Sequence, residues 1–331
     1  MSALVVFFLI VSQQTQTEEN LRQSAAGVLS SLGIFYYEHR QAEKAIEALE
    51  DALRYQPNDP GIRTNLAMVY YQAGKFPKVV ELLEAKLTEP SQRALTALAV
   101  SCFALARYGD SARYYEALSK SVTDDPVLLV TLAAVYQLGG DADKAEAVLS
   151  RLPDTPLTRA QFYVVLGDAH RNQTQVAEAI AAYEKAVSLS NQLPGVNYWL
   201  GVLYSDSHEY GKAAAAFGRE LELDPRNAEA AASFGAYYLT HGNDMVRARG
   251  YFEQALRNAP GHLGAQLGMI KVLLAEGKPA DAFAAAERAL AGGATDEELH
   301  YLKARALNLL GRKEEAQKEL DVFRELRSKK P

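Results

Sequence analysis

The chain has 331 residues, 48% of them apolar, and a formal net charge of −6. That is enough apolar material for a large core, and the acidic balance (sequence pI about 5.6) excludes the basic stripe on which nucleic-acid binding depends. The single cysteine, Cys102, excludes an internal disulfide framework and a cysteine metal cluster; it falls inside a helical pattern and reads as a small buried hydrophobe.

The N-terminus differs in composition from the rest of the chain. Ala3 to Val11 is an unbroken apolar run. It is too short to span a bilayer, which takes roughly 20 residues, but it matches the apolar middle of a secretory signal peptide, about 7–15 residues. No Lys or Arg precedes it and no Ala-x-Ala cleavage site comes after it; a start placed too far downstream would explain the missing basic end. No cysteine follows the run, which excludes a lipoprotein anchor. Residues 1–17 therefore read as a signal peptide or short hydrophobic N-terminal segment, with an uncleaved anchor or a buried helix start as alternatives. The expected location is exported, periplasmic or envelope-associated, and otherwise cytoplasmic. Thr15-x-x-Glu18 has the spacing of a capping box and would start the first helix there.

From Ala26 to Pro57 the pattern is helix, turn, helix, break. Leu29, Leu32, Gly33 and Tyr36 form one stripe at helical spacing, and Ala45, Leu49 and Ala52 a second. The polar stretch from Glu38 to Gln41 turns between them, and Asn58-Asp59-Pro60-Gly61 breaks the chain. A small residue, Gly33 or Ala45, lets two helices approach; a large one, Tyr36 or Leu49, fills the gap beside it.

That pattern recurs. Ala45, Val79, Ser111, Ala145, Ala179, Ala213, Ala248, Ala282 and Ala316 occupy one slot at steps of 34, 32, 34, 34, 34, 35, 34 and 34 residues. A period near 34 means a repeat architecture. Leu200, Gly201, Tyr204, Tyr210, Ala213, Phe217 and Pro225 form one unit; Gly235, Tyr238, Ala248, Phe252, Ala255 and Pro260 another; Leu166, Gly167, Ala179, Tyr183 and Ala186 a third. These residues resemble the tetratricopeptide repeat, with its Leu-Gly-x2-Tyr, then alanine, aromatic, alanine and proline. Nine units begin near Ala26, Pro60, Gln92, Pro126, Ala160, Pro194, Ala228, Leu263 and Glu297. Single units depart from the pattern: Val79 and Lys86 in the second, Ser111 and Tyr115 in the third, whose register is open by about a residue, and Ile270 and Leu273 in the eighth. Lys313 to Arg327 carries one apolar stripe, Ala316, Leu320, Phe323 and Leu326, on an otherwise polar helix, as a terminal cap requires. The resemblance implies an all-α, right-handed superhelical solenoid of antiparallel helix pairs over residues 18–331.

No catalytic constellation accompanies the repeats. His39, His170, His208, His241, His262 and His300 form no i, i+4 pair and none sits beside the cysteine, so a metal site is not expected. His170 occupies the tyrosine slot of its unit and reads as a packed side chain. Gly139-Gly140 and Gly292-Gly293 fall at turns, with no phosphate-binding loop after a strand. Glu314-Glu315 reads as a solvated face. No stretch remains for a catalytic domain, so neither enzyme activity nor a cofactor is expected.

In the tetratricopeptide family the first helix of each unit lines a concave face where peptides bind. The resemblance places Ile34, Tyr37, Thr64, Met68, Tyr71, Val100 and Phe103 there in the early units. In the later units it places Asp168, Arg171, Tyr198, Val202, Lys271, Tyr301, Arg305 and Asn308. The early half is apolar and aromatic; Lys271 and Arg305 supply cations in the later half. Tyr and Arg often anchor interfaces, although several of these side chains can equally pack between helices, and Asp168 can pair with Arg171 three residues on. The carboxylate clamp of chaperone-binding repeats is absent, because Ser30, Ile34, Thr64, Asn65 and Met68 stand at its positions. The expected function is a non-enzymatic scaffold holding a protein or peptide segment in the groove. The alternative is an exported component of a bacterial assembly or secretion machine, and an enzyme subunit is a remote third. Nucleic acid is not an expected partner, membrane contact is expected only through the N-terminal segment, and self-association through exposed aromatics is open.

Overall fold

The computed structural model describes residues 3–84, 90–121 and 125–329, of which 3–16 and 121 by backbone alone. Lys86, one of the departures from the repeat pattern, lies outside the described residues. The described residues form eighteen α-helices and no strand. The first compact body, Met1–Asn172, holds α1 (Ala3–Glu38), α2 (Ala42–Tyr55), α3 (Pro60–Gln72), α4 (Phe76–Leu83), α5 (Gln92–Ala104), α6 (Tyr108–Ser121), α7 (Pro126–Leu138), α8 (Ala142–Leu149) and α9 (Pro156–Asn172). The second, Gln173–Pro331, holds α10 (Val176–Leu189), α11 (Val196–Asp206), α12 (Tyr210–Leu223), α13 (Ala228–Thr240), α14 (Met245–Asn258), α15 (Leu263–Ala275), α16 (Pro279–Ala291), α17 (Glu297–Leu309) and α18 (Lys313–Ser328). Within each body, helix hairpins stack on their sequence neighbours.

Local chemistry sets the helix ends. Asp59, Ser91, Asp125, Asn227, His262 and Asp296 each accept a backbone N–H in the first turn of the helix they precede. Pro60 and Pro126 sit in the first turn, where no intrahelical N–H is lost. The turn between the two helices of each unit carries one left-handed residue: Arg40, Gly74, Ala106, Gly140, Thr174, His208, Asn243, Gly277 and Gly311. These follow the same steps as the alanine slot. The turn demands a positive φ at every repeat, but glycine, the residue best suited to it, fills only four of the nine places.

Three expected unit starts shift. α1 begins at Ala3, so the helix runs through Thr15 and Glu18 and is not started there. α9 starts at Pro156 rather than Ala160, and α11 at Val196 rather than Pro194. In the last case Gly195 is left-handed, and the cap comes from elsewhere: Glu220 of α12, fully buried, accepts N–H bonds from Gly195 (2.7 Å) and Tyr198 (3.3 Å) and from the Asn227 amide (3.2 Å). A carboxylate from the paired helix thus satisfies the orphaned amides and opposes the positive helix end.

The core repeats a small-against-large contact. A Cβ on Gly33 would come within 2.5 Å of Leu49, and one on Gly201 within 2.5 Å of Phe217. Phe252 is wedged between Gly235 and Gly268 in the same way. The eighth unit inverts the pair: Ile270, fully buried, stands in the glycine slot, and the facing slot holds Ala286, also fully buried. What looks like a departure in sequence is an exchange of volume across one contact. The third unit resolves similarly. Ser111 is fully buried in the alanine slot, and its hydroxyl donates to the Ala99 carbonyl at 2.8 Å, which fixes the register. Cys102 is fully buried as expected, and burial pushes its thiol up to about 11.

Between hairpins runs a device not anticipated from the sequence. Tyr70, Tyr136 and Tyr204 each donate an O–H bond to the glutamate 20 residues earlier, Glu50, Glu116 and Glu184. Each ring also lies under the lysine eight residues later: Lys78 at 4.9 Å, Lys144 at 5.3 Å and Lys212 at 5.2 Å. Burial first, and then the carboxylate bond, holds all three phenols well above the usual tyrosine range. The triad appears in the second, fourth and sixth units.

α18 is the last helix of the described residues. Ala316 is buried, Leu320, Phe323 and Leu326 are half-buried, and the remaining face is polar. Lys303 of α17 bridges Glu287 of α16 and Glu319 of α18 (2.7 Å), and His300 bonds the other Glu319 oxygen at 2.7 Å. These groups are only 14–18% exposed apart from Glu287, so the network fastens the last helix rather than decorating it.

Candidate protein-binding surface

The first helices of the hairpins after α1 have two buried faces. In α3, Ile62, Leu66 and Val69 pack into the core with Ala45, Leu49 and Ala52 of α2, and Ala67 and Tyr70 are buried beside Val79 and Leu83 of α4. Thr64, Met68 and Tyr71 share a third phase and are left half-buried. The period repeats that phase along the chain, and the side chains expected to bind a partner occupy it.

Within the first body, Tyr37, Met68 and Tyr71 lie against one core cluster. Tyr37 also lines an open cleft with Glu38, Val69 and Gln72. Tyr71 leans on Phe76 at 6.3 Å and Phe103 on Tyr108 at 6.1 Å, so each aromatic is braced from one side and open on the other. Ile34 is 38% exposed. Asp168 and Arg171 approach each other at 3.5 Å, the i, i+3 pairing expected for them.

In the second body, Tyr198 is half-buried, tilted on Trp199 at 4.9 Å and on Phe217 at 6.2 Å. Lys271, expected with Arg305 to offer a cation, is engaged: its ammonium meets Glu298 at 2.8 Å. Tyr301 is 40% exposed with its ring against Phe323 at 5.5 Å. Arg305 and Asn308 are exposed, and neither side chain has an ion-pair or hydrogen-bond partner among the described residues. The later surface therefore offers one free guanidinium, a neutralised lysine and an amide beside an exposed tyrosine ring. Arginine in that state can take a carboxylate through two parallel N–H bonds.

No group of His, Cys, Asp or Glu among the described residues could hold a metal ion. No helix among the described residues is long and apolar enough to cross a membrane.

An α-helical repeat with open side chains at one recurrent phase defines a scaffold for protein interaction. Comparison with known proteins supplies the family. Models described as tetratricopeptide repeat match residues 126–151, 198–262 and 267–329, and one described as TPR repeat matches residues 167–208. Residues 38–118 match the model of anaphase-promoting complex, cyclosome, subunit 3. The chain belongs to the tetratricopeptide repeat family. A mouse (Mus musculus) protein described as protein O-mannosyl-transferase TMTC1 is 28% identical over 137 residues, 40% of this chain; the chain spans 14% of that relative's length. Among solved structures, a MamA double mutant (RS-1 ArsTM) is 16% identical, covering 51% of this chain and 95% of its own, with a TM-score of 0.47. The Cut9–Hcn1 hetero-tetramer of the APC/C is 17% identical, covering 80% of this chain and 52% of its own, with a TM-score of 0.44.

Proposed function

We propose that this chain is a non-enzymatic scaffold that holds a segment of a partner protein along the recurrent open phase of its first helices. The observation that carries the reading is the exposure of that phase between two buried faces. Tyr37, Met68, Tyr71 and Phe103 offer apolar and aromatic contact in the first body. Tyr301, Arg305 and Asn308 offer a ring, a cation and an amide in the second. Apolar side chains of a partner would fit the first set, and a carboxylate would fit Arg305 in the second. Membership of a repeat family supports a binding role, and the transferase named for the mouse relative belongs to a protein of which the match spans a small part.

Pull-down with wild type, Tyr71→Ala and Arg305→Glu tests the reading. Each variant should recover at least about tenfold less partner, the loss expected for about 1.4 kcal/mol at an interface anchor. Unchanged recovery by both variants would sink it.

A second reading rests on the apolar run from Ala3 to Val11: export to a bacterial envelope, where the scaffold serves an assembly or secretion machine. Fractionation with mass measurement of the mature N-terminus tests this reading, and an uncleaved cytoplasmic chain would rule it out.

A further inference from the structure

The second and eighth units bear clefts at the same place in the repeat but of different chemistry. Each cleft is lined by the second helix of one unit and both helices of the next. In the second unit the lining is polar: the Tyr70, Glu50 and Lys78 triad, and Arg63, which is 4% exposed and donates to the carbonyls of Pro57 and, at 3.3 Å, Leu82. Six units on, Leu273 stands for Tyr70, Asp281 for Lys78, Ala285 for Leu82 and Gln266 for Arg63. The cleft there, within the second body, measures about 780 Å³, and Leu256, Leu263, Met269, Ala285 and Ala289 give it apolar walls. Two polar side chains line it without full satisfaction. Gln266 Nε2 donates to the Pro260 carbonyl at 2.9 Å, but its buried Oε1 accepts from no described residue. Arg288, on the same stripe of α16 as Ala285, is exposed, and its side chain has no ion-pair or hydrogen-bond partner among the described residues. Glycines stand in both bordering loops: a Cβ on Gly261 or Gly293 would meet nothing within 4 Å, so a ligand's main chain can pass close to either.

We propose that this cleft takes the C-terminal residue of a peptide. Apolar walls with a few polar groups are the usual make-up of a ligand cleft. The polar groups select the ligand. An unpaired guanidinium takes a carboxylate through two parallel N–H bonds. A buried amide oxygen without a donor is costly, and an N–H from the ligand removes the cost. In a C-terminal residue the carboxylate, the amide N–H and the side chain diverge from one Cα. That residue therefore offers its carboxylate to Arg288, its N–H to Gln266 Oε1 and an apolar side chain to the wall of Leu263, Met269 and Ala285. A free fatty acid brings no donor for Gln266, and a C-terminal amide brings no charge for Arg288. The site is separate from the open phase of the first helices, where Tyr71 and Arg305 lie.

Fluorescence anisotropy of the full chain tests this, with the probe fluorescein-Gly-Ser-Gly-Ser-Ala-Leu carrying a free C-terminus. Saturable binding is expected, weaker by at least about tenfold for the C-terminal amide of the same peptide and for Arg288→Glu with the free acid. Ala285→Leu, which places the leucine of the second unit in the cleft, should abolish binding with helicity unchanged. N-methylation of the terminal amide should weaken binding to wild type but not to Gln266→Leu, which lacks the acceptor already. No binding by wild type, or binding indifferent both to the amide and to Arg288→Glu, overturns the inference. Uptake of dodecanoate in place of the peptide, lost in Ala285→Leu, also overturns it and assigns the cleft to a free fatty acid. Tyr71→Ala and Arg305→Glu should leave peptide binding unchanged, so this inference and the binding role fail independently.

Discussion

At the scale of the residue, the tyrosine triads supply a recurrent polar bond between repeats. Tyr136 is 9% exposed and its O–H donates to Glu116. Tyr136→Phe removes one such bond and leaves a half-buried carboxylate that water can still reach, so a loss of about 1 kcal/mol in urea unfolding is expected. The triads also set a pH dependence. Burial and then the glutamate bond raise the three phenols above the ordinary value of about 10. Neutral phenols therefore favour the folded state fully below pH 10, and that contribution drains away as pH rises beyond it, because the unfolded chain ionises first. The urea midpoint should fall between about pH 9.5 and 11.5 more steeply in wild type than in Tyr70→Phe/Tyr136→Phe/Tyr204→Phe; equal slopes would contradict this account.

These triads were hidden in the sequence because their members sit 20 and 8 residues apart, across hairpins rather than along one helix face. Glu220 was hidden for a related reason. A glutamate on a polar-looking helix reads as solvated, yet this one is fully buried because α11 lacks a capping side chain of its own. By contrast, Cys102, with a helical pattern on both sides, was legible from its neighbours alone.

At the scale of the element, the period carried nearly all the information. Eight of the nine alanine-slot residues fall in hairpins that lie within one body, and most unit starts agree within a residue. The misplaced starts have local causes: an extended first helix, Pro156 opening α9 a turn early, and left-handed Gly195 delaying α11. The eighth unit shows why a pattern of residue types understates the rule. What is kept is the summed volume of two facing slots, not glycine as such. Ala286→Phe should overpack against Ile270 and cost about 1–3 kcal/mol. Adding Ile270→Gly should recover most of that loss, since Gly235 and Phe252 pack in this way one unit earlier. Additive losses in the double variant, seen by chemical denaturation, would show that the slots do not compensate.

At the scale of the whole molecule, the fold was legible and the partner was not. Packing obeys a period that a sequence displays directly, whereas binding lies in the residues the period leaves free. Phase alone placed Met68, Tyr71 and Arg305 at open positions. It did not reveal that Lys271 is engaged by Glu298, because a partner on the following hairpin has no fixed spacing. The central claim is that the open phase of the first helices, and not their buried or outward faces, meets the partner. Site-specific photo-crosslinking tests it most directly, with the reactive group placed in turn at Tyr71, at Arg305 and at Lys185, an exposed residue on the second helix of a hairpin. Crosslinks to one partner from positions 71 and 305, with none from 185, are predicted. Crosslinking from 185 with silence at 71 and 305 would contradict the account.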